Sequence, residues 1–189
     1  LVQSGKILYP AVSNFAAWQA AKTLGVQARM GWAACVALQP MYNLVKRQAE
    51  VELLPLAASE GLAVFPYSPL GGGLLTGKYA AGGGFDSGAT GARLTDWAIY
   101  KTRYGAPGVR EVAERFKILA QEYGHHPVAL AVAWVMSHPT VTAPILGARN
   151  LGQLEPALTA ATIPMTAELR GAISALSPEP PPATDRNEE

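Results

Sequence analysis

The sequence predicts an α/β fold of four strand–helix units, half the number that closes an eight-fold (β/α)8 barrel, with extra helices before the last strand. Three observations carry this expectation. Short apolar runs alternate four times with stretches of helical periodicity, the pattern that parallel strands joined by right-handed crossovers produce. Glycine or proline punctuates most of the joins. Of 189 residues, 49% are hydrophobic and only 15% charged, with 19 Gly and 15 Pro, so the chain has the material for a sizeable core and many turns.

The first unit starts with the apolar run Ile7–Val12, turns at Ser13-Asn14, and continues as a helix over Ala16–Leu24 that Gly25 is expected to stop. Cys35–Leu38 is the second buried run; a helix from about Arg47 to Glu60 follows, closed by Gly61, with Pro55 expected to kink it near Val51. Leu62–Tyr67 is the third strand. It enters Ser68-Pro69-Leu70-Gly71-Gly72-Gly73, where three glycines in a row end any regular element and a long loop is expected. From Val109, apolar residues keep helical spacing up to Gly124, and Val128–Met136 is apolar on every face, as a buried helix would be. Thr140–Leu146 reads as the fourth strand, followed by helices from about Leu151 and over Thr166–Leu176. The last residues, SPEPPPATDRNEE, carry four prolines and one arginine against four acids, so 177–189 is expected to be a disordered tail beyond a domain of 1–176.

Composition excludes several function classes. A net charge of +1 with no Lys/Arg cluster argues against a nucleic-acid partner. One cysteine and three histidines provide neither a disulfide framework nor a metal-ligand set, and a reducing, cytoplasmic location fits best. The longest apolar run, Val128–Met136, falls well short of the roughly 18 residues of a membrane span, so no membrane partner is expected. The chain opens Leu1-Val2-Gln3, so a segment upstream is expected.

Gly72 to Lys78 fits the spacing of a phosphate-binding P-loop, but Tyr79 stands where a Ser or Thr must reach Mg²⁺, and Ala80 to Gly84 is a poor helix start. The dinucleotide pattern G-x-G-x-x-G is not met either. What remains is a set of polar and small residues at the C-terminal ends of the four runs: Ser13 and Asn14, Gln39, Tyr67 and Ser68, and Gly147 to Asn150. In barrels ligands bind at that end. Ser, Asn and Gly also serve there as turn formers and caps, and Tyr67 by type alone is equally a core aromatic or a stacking platform. Gln39, a long amide between an apolar run and Pro40, is harder to explain without a partner.

Four segments in order, Gly5–Tyr9 with Val12–Phe15, Leu38–Asn43, Pro66–Tyr79, and Pro144–Arg149 with Gln153–Glu155, resemble the aldo/keto reductases, in particular bacterial members related to potassium-channel beta subunits. The resemblance implies NADP(H) lying across the C-terminal face of a (β/α)8 barrel whose second half this chain would be. It implies that Ser13, Asn14 and Gln39 hold the nicotinamide carboxamide and that Tyr67 stacks on the nicotinamide. Ser68, Pro69, Leu70, Gly71 and Gly72 would approach the pyrophosphate with Lys78 nearby; Arg93 would fold over the cofactor, and Gly147, Arg149 and Gln153 would meet the adenosine phosphate. Ala157 departs from the usual asparagine and Pro156 from the common glutamate, which weakens the adenine contact. The family's Asp, Tyr, Lys and His lie upstream of the motif beginning at Gly5. The chain is therefore expected to be a fragment of a reductase acting on a small carbonyl compound, with cofactor-binding residues but no catalytic set and no metal. A non-catalytic NADP-binding or regulatory subunit, like a channel beta subunit, is the other reading.

Overall fold

A computed structural model of the chain describes residues 1–77 and 98–184. Three short parallel strands, β1 (Ala11–Ser13), β2 (Ala37–Gln39) and β3 (Ala63–Val64), form one sheet in the order β1-β2-β3. Val12 faces Leu38, Leu38 faces Val64, and Ser13 faces Gln39, so the polar residues closing β1 and β2 stand at one level. Helices α1 (Ala17–Met30), α2 (Leu53–Glu60), α3 (Ala98–Tyr104), α4 (Val109–Glu122), α5 (Pro127–Met136), α6 (Leu151–Leu158) and α7 (Ala167–Ser174) complete the described elements, together with three 3-10 segments. The α/β class is borne out.

Several expected boundaries move, each for a physical reason. Of the run Ile7–Val12, only Ala11 and Val12 pair, because β2 presents only a short facing edge; Leu8 and Tyr9 stay exposed, and the link furthest back joins the Val36 N–H to the Pro10 carbonyl at 2.9 Å. Helix α1 runs through Gly25 to Gly31, whose φ of 64° provides the left-handed cap. An interior glycine costs about 0.5–1 kcal/mol against alanine, too little to end a helix. The helix expected over 47–60 breaks into a 3-10 turn, Gln48–Glu50, and α2. A proline ring clashes with the carbonyl four residues back, so Pro55 forbids helix at Val51 and instead sits in the first turn of α2, where its missing N–H leaves no bond unmade.

Pairing of β2 with the third run continues past β3: Phe65 N–H reaches the Leu38 carbonyl and Tyr67 N–H the Pro40 carbonyl, each at 2.9 Å. The fourth run, Thr140–Leu146, follows the outer edge of β3 but is not a strand. Thr142 N–H and Ile145 N–H donate to the carbonyls of Val64 and Pro66 at 2.9 and 2.7 Å. The return bonds are missing from the main chain, because Val64 N–H goes to the Thr142 hydroxyl at 3.0 Å and Pro66 has no N–H to give. In place of an uninterrupted loop after Ser68, a 3-10 turn (Gly71–Thr76) and α3 appear, the helix held by Tyr100 and Tyr104 stacked one turn apart at 6.3 Å.

The core is centred on α5, in which every residue from Val128 to Val135 is buried, as its unbroken apolar run predicts. Trp134 is fully buried, its Nε1 donates to Ser174 Oγ at 2.9 Å, and the Arg170 and Arg47 guanidinium groups stand 5.0 and 5.9 Å from its ring. Arg47 also reaches the carbonyls of Ser174 and Ser177, tying the end of α7 to the segment after β2. Residues 177–184 form neither helix nor strand, and 185–189 lie outside the described residues. Among the described residues no helix is long and apolar enough to cross a membrane.

Candidate functional site

The C-terminal ends of the strands carry a hydrogen-bonded polar patch that opens onto a cavity. Ser13 Oγ donates to the Gln39 carbonyl at 2.9 Å, as the register of β1 against β2 requires. Asn14 follows in the left-handed region (φ 57°), a conformation asparagine tolerates, and its Oδ1 accepts from the Tyr67 hydroxyl at 2.7 Å. The Gln39 side chain is exposed at the same level. Tyr67 is half-buried, bridged through its backbone to Met41, and it links this patch to the cavity.

The cavity has a volume of about 540 Å³ and two main walls. One wall is Tyr67, Ser68, Pro69, Leu70, Gly72 and Gly73, the turn that follows the third run. The other is Ile145 to Arg149 with Gly152 and Gln153, from the segment entering α6. Asn150 caps α6 by accepting from Gln153 N–H at 3.0 Å, and the Gln153 side chain accepts from Arg149 N–H at 3.0 Å, so the second wall is braced by its own polar groups.

The first wall depends on glycine. Gly71, Gly72 and Gly73 all have positive φ, and a Cβ built on Gly72 would lie 2.7 Å from the Tyr100 ring. Only a bare backbone fits there, so Gly72 and Gly73 line the cavity as main chain alone. Behind it, burial raises the pKa of the Tyr104 phenol, which stays protonated and donates towards Met41 Sδ.

Of the residues singled out in the sequence, the cavity thus gathers Tyr67, Ser68, Pro69, Leu70, Gly72, Gly147, Arg149 and Gln153. Ser13, Asn14 and Gln39 stand outside it in the adjoining patch, and Gly71 is buried behind the wall. Lys78 and Arg93 lie outside the described residues. Ala157 and Pro156 do line the cavity, so the departures seen in the sequence fall where they bear on it. Two lining residues were not foreseen. Tyr100 sits in a stretch read as loop, though its spacing from Tyr104 was a signal. His126 belongs to none of the sequence motifs; it is the N-cap of α5, accepting from Val128 N–H at 3.2 Å, and it also faces the cavity.

Comparison with known proteins places these features in a family. A family profile described as "Aldo/keto reductase family" matches residues 1–177. The chain is 35% identical over 179 residues to "Uncharacterized oxidoreductase YrpG" of Bacillus subtilis, covering 95% of this chain and 52% of that protein. It is 35% identical over 172 residues to human "Aldo-keto reductase family 7 member A3", with 85% and 52% covered. It is 34% identical over 171 residues to mouse "Aflatoxin B1 aldehyde reductase member 2", with 85% and 47% covered. The chain spans about half the length of these curated relatives.

Proposed function

The chain belongs to the aldo/keto reductase family, and we propose that it carries the cofactor-binding half of an NADP(H)-dependent oxidoreductase, the C-terminal half of a (β/α)8 barrel in which the segment 140–146 takes the place of the last strand. The observation that carries this reading is the cavity between the Tyr67–Gly73 turn and the Gly147–Gln153 segment, at the C-terminal end of a parallel sheet, where open α/β sheets bind ligands. The residues present fit a phosphorylated dinucleotide. They offer an aromatic face, a glycine cradle that a single Cβ would fill, and a guanidinium at the far wall.

When bound, the cofactor supplies a hydride to the carbon of an aldehyde or ketone. Tyr67 stacks on the nicotinamide, held by its bond to Asn14, while Ser13, Asn14 and Gln39 meet the carboxamide, whose donors and acceptor an amide matches in both directions. Ser68, Pro69, Leu70, Gly71 and Gly72 let the main chain approach the pyrophosphate closely, with Lys78 and Arg93 adding charge. Gly147, Arg149 and Gln153 take the adenosine phosphate, which favours NADPH over NADH. None of these residues delivers a proton to the carbonyl oxygen: the Tyr67 hydroxyl is engaged by Asn14. The same proposal places the protein in the reducing cytoplasm, where Cys35 remains a thiol.

Loss of a proton donor alone costs roughly 10²–10⁴-fold in rate. The 189-residue chain should therefore not reduce 4-nitrobenzaldehyde with NADPH, whereas the product of the gene extended upstream should. Turnover by the 189-residue chain would contradict the proposal.

A further inference from the structure

One buried group is untouched by that reading. Asn43 is completely shielded from solvent, the single buried polar side chain among the described residues. An unpaired amide there would cost about 1–3 kcal/mol, and the structure pairs it fully. Its Oδ1 accepts from Val45 N–H at 3.1 Å, and its Nδ2 donates to the Ser68 carbonyl at 2.9 Å and to the Tyr104 hydroxyl at 3.4 Å.

The Ser68 bond has a consequence for the cavity. Among the described residues Ser68 is one of two non-glycines with positive φ, at 58°, a conformation a serine holds only when its surroundings impose it. Its carbonyl also accepts from Gly71 N–H at 3.0 Å, so this oxygen anchors the start of the glycine turn. On the far side the Tyr104 ring lies 3.7 and 3.3 Å from where Cβ atoms on Gly71 and Gly72 would stand. Asn43 and Tyr104, hydrogen-bonded to each other, therefore clamp the turn from two directions while neither lines the cavity.

We propose that Asn43 is a positioning residue for the dinucleotide: through the Ser68 carbonyl, and backed by Tyr104, it holds residues 68–73 in the shape that receives the pyrophosphate. This deepens the cofactor reading and rests on it. Affinity for a whole dinucleotide depends on that turn, whereas affinity for 2′,5′-ADP depends chiefly on the Arg149 and Gln153 wall.

The test uses Asn43→Asp at pH 8, whose carboxylate keeps the acceptor for Val45 N–H and, when ionised, has no proton to donate to Ser68, and Tyr104→Phe as a milder second variant that does not depend on ionisation. Asn43→Asp should bind NADPH about tenfold more weakly, the equivalent of about one hydrogen bond, and 2′,5′-ADP within about twofold of the unaltered chain. Without ligand, its amide exchange should rise at Gly71 and Gly73 and not across α5. Tyr104→Phe should show the same pattern at about threefold, and decides the matter if Asn43→Asp does not fold. Unchanged NADPH affinity and exchange, or equal loss of both ligands with exchange raised throughout, would overturn the proposal. If the unaltered chain binds neither ligand, the cofactor reading fails, and the exchange measurement alone decides whether Asn43 holds the turn.

Discussion

Replacing Gly72 by alanine tests the glycine cradle directly. Gly72 has φ +67°, a region that costs an L-residue roughly 1–2 kcal/mol. The new Cβ would lie 2.7 Å from Tyr100 Cδ1 and 3.3 Å from Tyr104 Cε2, and forcing a methyl into such packing typically costs about 1–3 kcal/mol more. Tyr104 is fully buried and cannot retreat, whereas the half-buried Tyr100 can shift only by moving into the cavity, so the two costs add to roughly 2–5 kcal/mol at most. Gly25 provides the control: it lies inside α1, a Cβ there would meet nothing within 4 Å, and Gly25→Ala should stabilise by about 0.5–1 kcal/mol. Urea unfolding at constant slope separates the two, with the midpoint falling for Gly72→Ala and rising for Gly25→Ala. NADPH affinity should fall at least about tenfold in the first and stay level in the second. A Gly72→Ala chain with unaltered midpoint and affinity would refute the close-approach argument.

Burial, and then the Arg170 guanidinium, lower the pKa of His138 below its ordinary 6.5, and its Nδ1 accepts from Thr140 N–H, which requires the neutral ring. The unfolded chain then takes up the proton first, so the stabilisation is complete above the ordinary value and is lost as pH falls through it. The urea midpoint should drop between pH 7.5 and 5.5, and His138→Gln should flatten that slope; an unchanged slope would dismiss the residue's role. Trp18 and Trp32 are 65% and 52% exposed and β1 is an edge strand of the described sheet, so the isolated chain should self-associate in size-exclusion chromatography; a monodisperse monomer would show that these surfaces need no cover. Trimming residues 178–189 should leave the melting temperature unchanged, since Arg47 keeps its bonds to Ser174 and Ser177; a clear loss would show that the tail docks.

Much of this architecture is legible in the sequence because its signals are local. The all-apolar run after Pro127 becomes the buried helix α5, and Gly61 and Gly124 stand at the ends where helices were expected to stop, both at positive φ. What misled was tertiary. Gly25 reads as a stop until Gly31 is seen to supply the cap. Thr140–Leu146 reads as a strand, but its ladder fails because one partner bond is taken by a hydroxyl and another is missing at a proline. At the site, the turn glycines and the Gly147–Gln153 segment were visible as motifs, and the cavity joins them. Asn43 was visible only as part of a motif, since no local pattern says that its amide meets a carbonyl 25 residues away.

The central claim, that these residues form a dinucleotide site preferring the phosphorylated cofactor, is tested most directly by calorimetric titration of the purified chain with NADPH and NADH, alongside Arg149→Ala. The account predicts saturable one-to-one binding of NADPH, weaker binding of NADH, and loss of that difference in Arg149→Ala. No binding of either cofactor would contradict the site itself; equal affinities in the unaltered chain would contradict the role given to Arg149.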